Sequence, residues 1–158
     1  MKRVKANDPV AMLQMGLVCY NKGDYDSAFR RYNISAGLGD VAGHYQLSCL
    51  YRKGQGVEKD VKKEVYHLEQ AAIGGHPIAR YNLGAVEEEN GRMDRAVKHW
   101  IIAATLGHNA SLDTLKLCFR RGLVSKEDFA SALRAHQAAV DATKSPQREA
   151  AEEEARKE

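Results

Sequence analysis

Large apolar residues return along this chain at the three- and four-residue steps of a helix, with alanine or glycine set between them. Met15, Val18 and Tyr32 fall beside Ala11, Gly16, Ala28 and Ala36, and Leu83, Val86 and Trp100 fall beside Ala79, Gly84, Ala96 and Ala104. That spacing predicts helices with one buried face. The small residues mark places where two helices approach closely. A glycine inside a helix costs about 0.5–1 kcal/mol relative to alanine, so its reuse predicts that tight packing offsets the loss.

The pattern also repeats on a longer scale. The segment from Pro9 to Gly39 aligns without a gap with the segment from Pro77 to Gly107, pairing Gly16 with Gly84, Gly23 with Gly91, Ala28 with Ala96 and Tyr32 with Trp100. Between them, the stretch from Val41 is the same unit with residues added at its middle turn; Leu47 stands for Met15 and Leu83, and Leu68 for Trp100. A weaker fourth copy begins near Asn109 and keeps Leu115, Phe119 and Gly122. The copies start at residues 9, 41, 77 and 109, steps of 32, 36 and 32 residues. Recurrence at this period is the signature of a helical-repeat array, in which one helix pair cannot bury its own apolar face and its neighbours complete the core.

Each unit reads as two antiparallel helices. Asp8-Pro9 opens the first, since aspartate is a preferred N-cap and proline costs nothing at the first helical position. His76-Pro77 repeats the arrangement with a poorer cap. Gly23 closes one helix before the next, Gly39, Gly75 and Gly107 end the second helices, and Ser125 to Asp128 resembles a capping box. The predicted fold is all-α: an α-solenoid of about four helix pairs, with repeats over 8–39, 40–75, 76–107 and a divergent 108–142. The packed array is predicted to end near residue 142. The charged stretch 143–158 lacks large apolar residues, which fits either a frayed helical extension past Pro146 or a disordered tail.

Composition narrows the function. The chain has 158 residues, 44% hydrophobic and 28% charged, as in a folded soluble protein. A net charge of +3, evenly spread, is too weak to argue for nucleic acid. Cys19, Cys49 and Cys118 are an odd number at unequal spacing, with no CxxC or Cys/His pattern, so a metal site or disulfide framework is not expected. The first residues turn polar at once, and no apolar run approaches the roughly 20 residues of a membrane span. An intracellular, soluble protein, monomeric and outside the membrane, is the expectation.

Catalytic patterns are missing. There is no HExxH, phosphate loop or nucleophile elbow, and Gly54-Gln55-Gly56 is too short for a dinucleotide fingerprint. Of the six histidines, His76 and His108 occupy the junction position of Asp8 and Asp40, a turn role, while His67 and His99 fall on second helices, part-exposed. Glu87, Glu88 and Glu89 are consecutive on one helix and diverge around it.

Leu47 to Asp60 (LSCLYRKGQGVEKD), followed by Ala71 to Gly84 (AAIGGHPIARYNLG), resembles the Sel-1-like repeat, a relative of the tetratricopeptide repeat. Leu47, Tyr51, Gly54, Gly56, Val57 and Asp60 match that repeat's positions, with Ser48 in place of its glycine. The first and third units, with their shorter turns, look closer to tetratricopeptide repeats. The stretch from Gly122 to Glu152 is similar to the ending of a group of such proteins from diatoms. The likeness covers about residues 8 to 149. It implies an adaptor or scaffold that binds another protein, with no cofactor, no metal and no catalysis. Some cysteine-rich bacterial members are linked to β-lactam binding, which gives a hydrolase as the alternative; the cysteines here lack the paired spacing within units. RNA binding by helical repeats is a further alternative, against which the uneven step and the acidic pair Glu88-Glu89 speak.

In related superhelical arrays the first helix of each unit lines the concave face. Carried over, this implies a groove for a partner's peptide or helix formed by Leu13, Leu17, Tyr20 and Asn21; Tyr45, Arg52 and Lys53; Tyr81, Glu88 and Glu89; and Asp113, Arg120 and Arg121. Tyr45 and Tyr81 hold the same position in successive units and would sit side by side. Aromatic residues and arginine are enriched at binding hot spots. A second interpretation stands beside it: the charges alternate in sign from unit to unit and could simply pair, at about 0–1 kcal/mol each, to keep a helical face soluble.

Overall fold

The computed structural model describes residues 8–156, and every regular element among them is a helix. They run α1 (Pro9–Asn21), α2 (Tyr25–Gly37), α3 (Val41–Lys53), α4 (Val61–Ile73), α5 (Pro77–Glu89), α6 (Met93–Thr105), α7 (Asn109–Arg120) and α8 (Lys126–Ala155). The chain forms two compact units, divided between Leu83 and Gly84 within α5.

The helix ends follow the repeat. Asp8 caps α1 by accepting from the amides of Val10 and Ala11, and Asp40 caps α3 through Ala42 and Gly43. At the same junction further along, imidazoles take over: His76 Nδ1 accepts from the Ala79 amide at 3.2 Å, and His108 Nδ1 from that of Ser111 at 3.3 Å. The second helices close alike. Asp40 N donates to Ser35 O, His76 N to Ala71 O and His108 N to Ala103 O, at 3.1, 3.0 and 3.1 Å, and the glycine before each has φ near +88°. That left-handed turn closes a Schellman-type bond and sends the chain back at one angle each time.

Within a repeat the two helices meet through a glycine. The ring of Tyr32, fully buried, lies against Gly16 so closely that an added Cβ would sit 2.5 Å from Tyr32 Cε1. In the second unit Trp100 lies over Gly84 in the same way, where a Cβ would collide with the indole Nε1. In the middle repeat both partners change together: serine replaces the glycine at 48, leucine replaces the ring at 68, and both are buried. The smaller partner leaves room for the larger one, as close packing requires.

Stacking of one pair on the next builds the core of the first unit. Ala28, Tyr32 and Ala36 of α2 pack with Leu47 and Leu50 of α3, and Leu13, Leu17, Tyr20, Phe29 and Val57 close around them. Gly43 lets the helices approach, since a Cβ there would lie 2.8 Å from Ala36 N. In the second unit Trp100, Ala103 and Ala104 of α6 are buried with Leu112, Leu115 and Cys118 of α7 and Ala132 of α8. Phe119 stacks on Phe129 at 4.8 Å.

One sequence expectation needs amendment. Val18, expected on the packing face beside Met15, is 53% exposed. Its equivalent Leu50 is buried because α2 covers it, whereas no described element covers that side of α1. The tail, for which extension and disorder were both open, is helical through Pro146 as far as Ala155, and every side chain from Asp141 to Arg156 is exposed.

The glycine socket sets a stability test. Gly16→Ala is expected to cost about 1–3 kcal/mol through overpacking against Tyr32. Gly37→Ala, in open space at the end of α2, is expected to add about 0.4–1 kcal/mol by restricting the unfolded chain. Urea denaturation of the two variants checks the contrast; equal effects would remove the socket from the account.

Candidate functional site

Helix α3 places its polar residues by period. Tyr45, Cys49 and Arg52 are spaced four and three residues apart, so they share one face, and Arg52 and Lys53 lie in its last turn, where cations suit the helix dipole. With Ser48 of the same helix, Glu64 and Leu68 of α4, and Asn82 of α5, they line a cavity of about 280 Å³ within the first unit. At the corresponding positions one repeat earlier stand Leu13, Leu17 and Tyr20, which pack on the core cluster. The same face is thus apolar packing in the first repeat and a polar recess in the second.

The recess is electrostatically mixed. Arg52 Nε lies 4.0 Å from Oε1 of Glu64, a carboxylate that is buried while the arginine is mostly exposed. The Tyr45 ring stacks on His76, with centroids 4.5 Å apart and planes 20° from parallel. Burial above all pushes the Tyr45 hydroxyl up to about 12, with the Cys49 thiol beside it adding to the shift and a hydrogen bond to Asn82 opposing it. It is therefore a neutral donor and acceptor at physiological pH. Lys53 Nζ donates to the Tyr20 hydroxyl at 3.2 Å, and that hydroxyl donates to Gln55 Oε1 at 3.1 Å, so a cation of the second repeat is held by an aromatic of the first. The hydrogen bond it donates to Tyr20 raises the Lys53 pKa and keeps the ammonium charged.

Of the residues carried over from the repeat pattern, Tyr45, Arg52 and Lys53 line this recess, and Tyr20 joins it through Lys53. Leu13 and Leu17 serve the core. Asn21 is exposed at the end of α1, and Tyr81 is half-buried on α5. In the second unit Glu88 and Glu89 are exposed, whereas their neighbour Glu87 is buried; it accepts a hydrogen bond from Arg92 Nε and lies 3.4 Å from Arg95 Nη2. Asp113 pairs with Lys116 one turn on at 3.1 Å. Arg120 ends α7 and Arg121 caps it, both exposed. Cys49, Glu64 and Asn82 were not singled out from the sequence. Glu64 had a signal: it stands where the first and third copies have the buried alanines Ala28 and Ala96.

The three cysteines are free, and burial pushes the Cys118 thiol up. Among the described residues no three His, Cys, Asp or Glu side chains are grouped to hold a metal ion, and no helix is long and apolar enough to cross a membrane.

Comparison with known proteins agrees with this architecture. The family model described as Sel1 repeat matches residues 9–38, 41–76 and 77–108. Among curated proteins, the chain is 23% identical over 167 residues to DAP3-binding cell death enhancer 1 of Mus musculus, covering 80% of this chain and 33% of that protein. Among solved structures, a Sel1 repeat protein from Oxalobacter formigenes superposes with a TM-score of 0.69 at 30% identity, over 86% of this chain and 59% of the other. A protective antigen of uropathogenic Escherichia coli with an SLR fold gives 0.67 at 23% identity, over 86% of this chain and 32% of that one. The chain spans about a third of the curated relative it matches.

Beside the recess, α3 and α4 are joined by a histidine pair. The Nδ1 atoms of His44 and His67 lie 3.0 Å apart, so one ring donates its proton to the other's lone pair, and the Tyr51 ring stacks on His67 at 5.6 Å. Burial lowers the pKa of both; for His67 it falls to about 4, helped by the neighbouring His44 and Lys63. His108, a cap that needs its Nδ1 lone pair, is lowered by burial and by His136. The folded state thus prefers neutral rings, while the unfolded chain takes up protons below about pH 6.5. Stability conferred by neutrality is complete above that pH and falls as pH drops from about 6.5 towards 4. The melting temperature is expected to decline from pH 7.5 to 5, and His67→Gln to flatten the slope. Parallel slopes in the two proteins would contradict the assignment.

Proposed function

The chain belongs to the Sel1 repeat family, and from that premise we propose that it is an adaptor whose recess between the second and third copies of the repeat holds a peptide or helix of a partner protein. Sel1 repeats generally mediate protein–protein interaction, and their scaffold is typically not enzymatic. The observation that carries the proposal is the change of one repeated face from Leu13, Leu17 and Tyr20 to Tyr45, Cys49 and Arg52, which opens a recess of about 280 Å³ where leucines would otherwise pack. A packing face given over to an exposed arginine and a half-buried tyrosine suits binding, because it presents groups that a partner can contact.

The groups present define the ligand's chemistry. Arg52 and Lys53 at the rim favour a carboxylate on the partner, while Tyr45 offers a rigid aromatic edge with a hydroxyl that can donate or accept. Glu88, Glu89, Arg120 and Arg121 supply exposed charges for further contacts in the second unit. The mouse relative is, by its name, a binder of another protein, DAP3, which supports the class of activity and leaves this chain's own partner to experiment.

The test is affinity capture with the full chain as bait beside the double variant Tyr45→Ala/Arg52→Glu, after circular dichroism shows both equally helical. A partner captured by the parent is expected to bind the variant about 10- to 100-fold more weakly, as for truncated hot spots. Equal retention by both would place the binding surface elsewhere.

A further inference from the structure

A second concavity lies on the first repeat. Ala11, Met15 and Val18 of α1, with Arg30, Arg31 and Ile34 of α2, line an open, largely apolar groove of about 660 Å³. Ala11, Met15 and Val18 are two residues out of step with Leu13, Leu17 and Tyr20, about 200° around the helix, so they occupy the face of α1 turned away from the core cluster. Val18 and Ile34 are 53% and 42% exposed there.

The repeat itself shows what such a face holds. Ala11, Met15 and Val18 recur in α3 as Gly43, Leu47 and Leu50, and Leu47 and Leu50 are 0% and 1% exposed because α2 lies across them. The covering helix brings one large ring, Tyr32, flanked by Ala28 a turn before and by Ser35 and Ala36 a turn after; Gly43 takes up Ser35 and Ala36 directly. The same spacing returns in α6 as Ala96, Trp100, Ala103 and Ala104. In the groove of the first repeat the matching surface is present, and none of the described helices covers it. The groove is apolar and carries two guanidinium groups, neither of which forms an ion pair among the described residues.

We propose that this groove binds a helix of a partner protein built as α2 is, with one large apolar side chain between small residues a turn away on either side and a carboxylate set against Arg30 and Arg31. The pattern follows from the established α2-on-α3 contact, and the carboxylate from the charge lining the groove.

The probe is a fluorescein-labelled peptide of residues 24–40, kept helical by a staple joining positions 30 and 34, which face away from Tyr32. Titrated with the full chain, it is expected to give saturable anisotropy, weakened at least about tenfold by Val18→Asp or Ile34→Asp. Both sites are exposed, so melting temperatures should stay within a few degrees of the parent. Tyr32→Ala in the peptide should abolish binding, whereas Tyr45→Ala/Arg52→Glu in the chain should leave it unchanged. The proposal is overturned by absence of saturation up to about 1 mM, or by binding that survives Val18→Asp, which would indicate exchange with the chain's own α2. It is equally overturned if sedimentation shows the chain alone to be a dimer that Val18→Asp dissociates, which would give the face to a second copy.

Discussion

A helix can lie across another only as closely as the side chains between them allow. In this chain the limit is set by glycine. Gly16 and Gly84 remove the Cβ at the point of closest approach, and the rings of Tyr32 and Trp100 fill the space down to the backbone. The ring fixes both the distance between the two helices and their rotation, because any other register would set it against a side chain. From that contact follow the faces left for stacking, the placing of Ala28, Ser35 and Ala36 against the next repeat, and the positions that are free for something other than packing.

Because the contact is repeated, much of it can be read from one sequence. Gly16 aligns with Gly84 and Tyr32 with Trp100, so the helix pairs, their small-residue ridges and the turns after them emerge from self-comparison. The capping role of His76 and His108 was legible in the same way, since they replace Asp8 and Asp40. Their use of Nδ1 as the acceptor required coordinates. The exposure of Val18 did not show in the pattern, because burial of that position depends on what precedes the repeat and not on the repeat. The continuation of α8 through Pro146 was undecided for a related reason: without large apolar residues, neither helix nor coil is favoured by packing.

The candidate site was legible in part. Repeat positions brought out Tyr45, Arg52 and Lys53, and the structure places them around one recess. Cys49, Glu64 and Asn82 were missed, as none belongs to a motif. Each is visible only as a departure, Glu64 most clearly, where an alanine would keep two helices in contact. Leu13 and Leu17 show the converse, for the same positions that form a recess in one copy are core in another. In a repeat protein a copy's departures stand out because the undeviating copies supply the reference.

The central claim is that the glycine and the ring are one packing unit. The middle repeat has already exchanged both, with Ser48 and Leu68 at the two positions. A double-mutant cycle that transfers this pair to the third repeat, Gly84→Ser with Trp100→Leu, followed by chemical denaturation, measures the coupling directly. The account predicts that the double variant is more stable than Gly84→Ser alone, with a coupling of at least about 1 kcal/mol. Simple additivity of the two losses would contradict it.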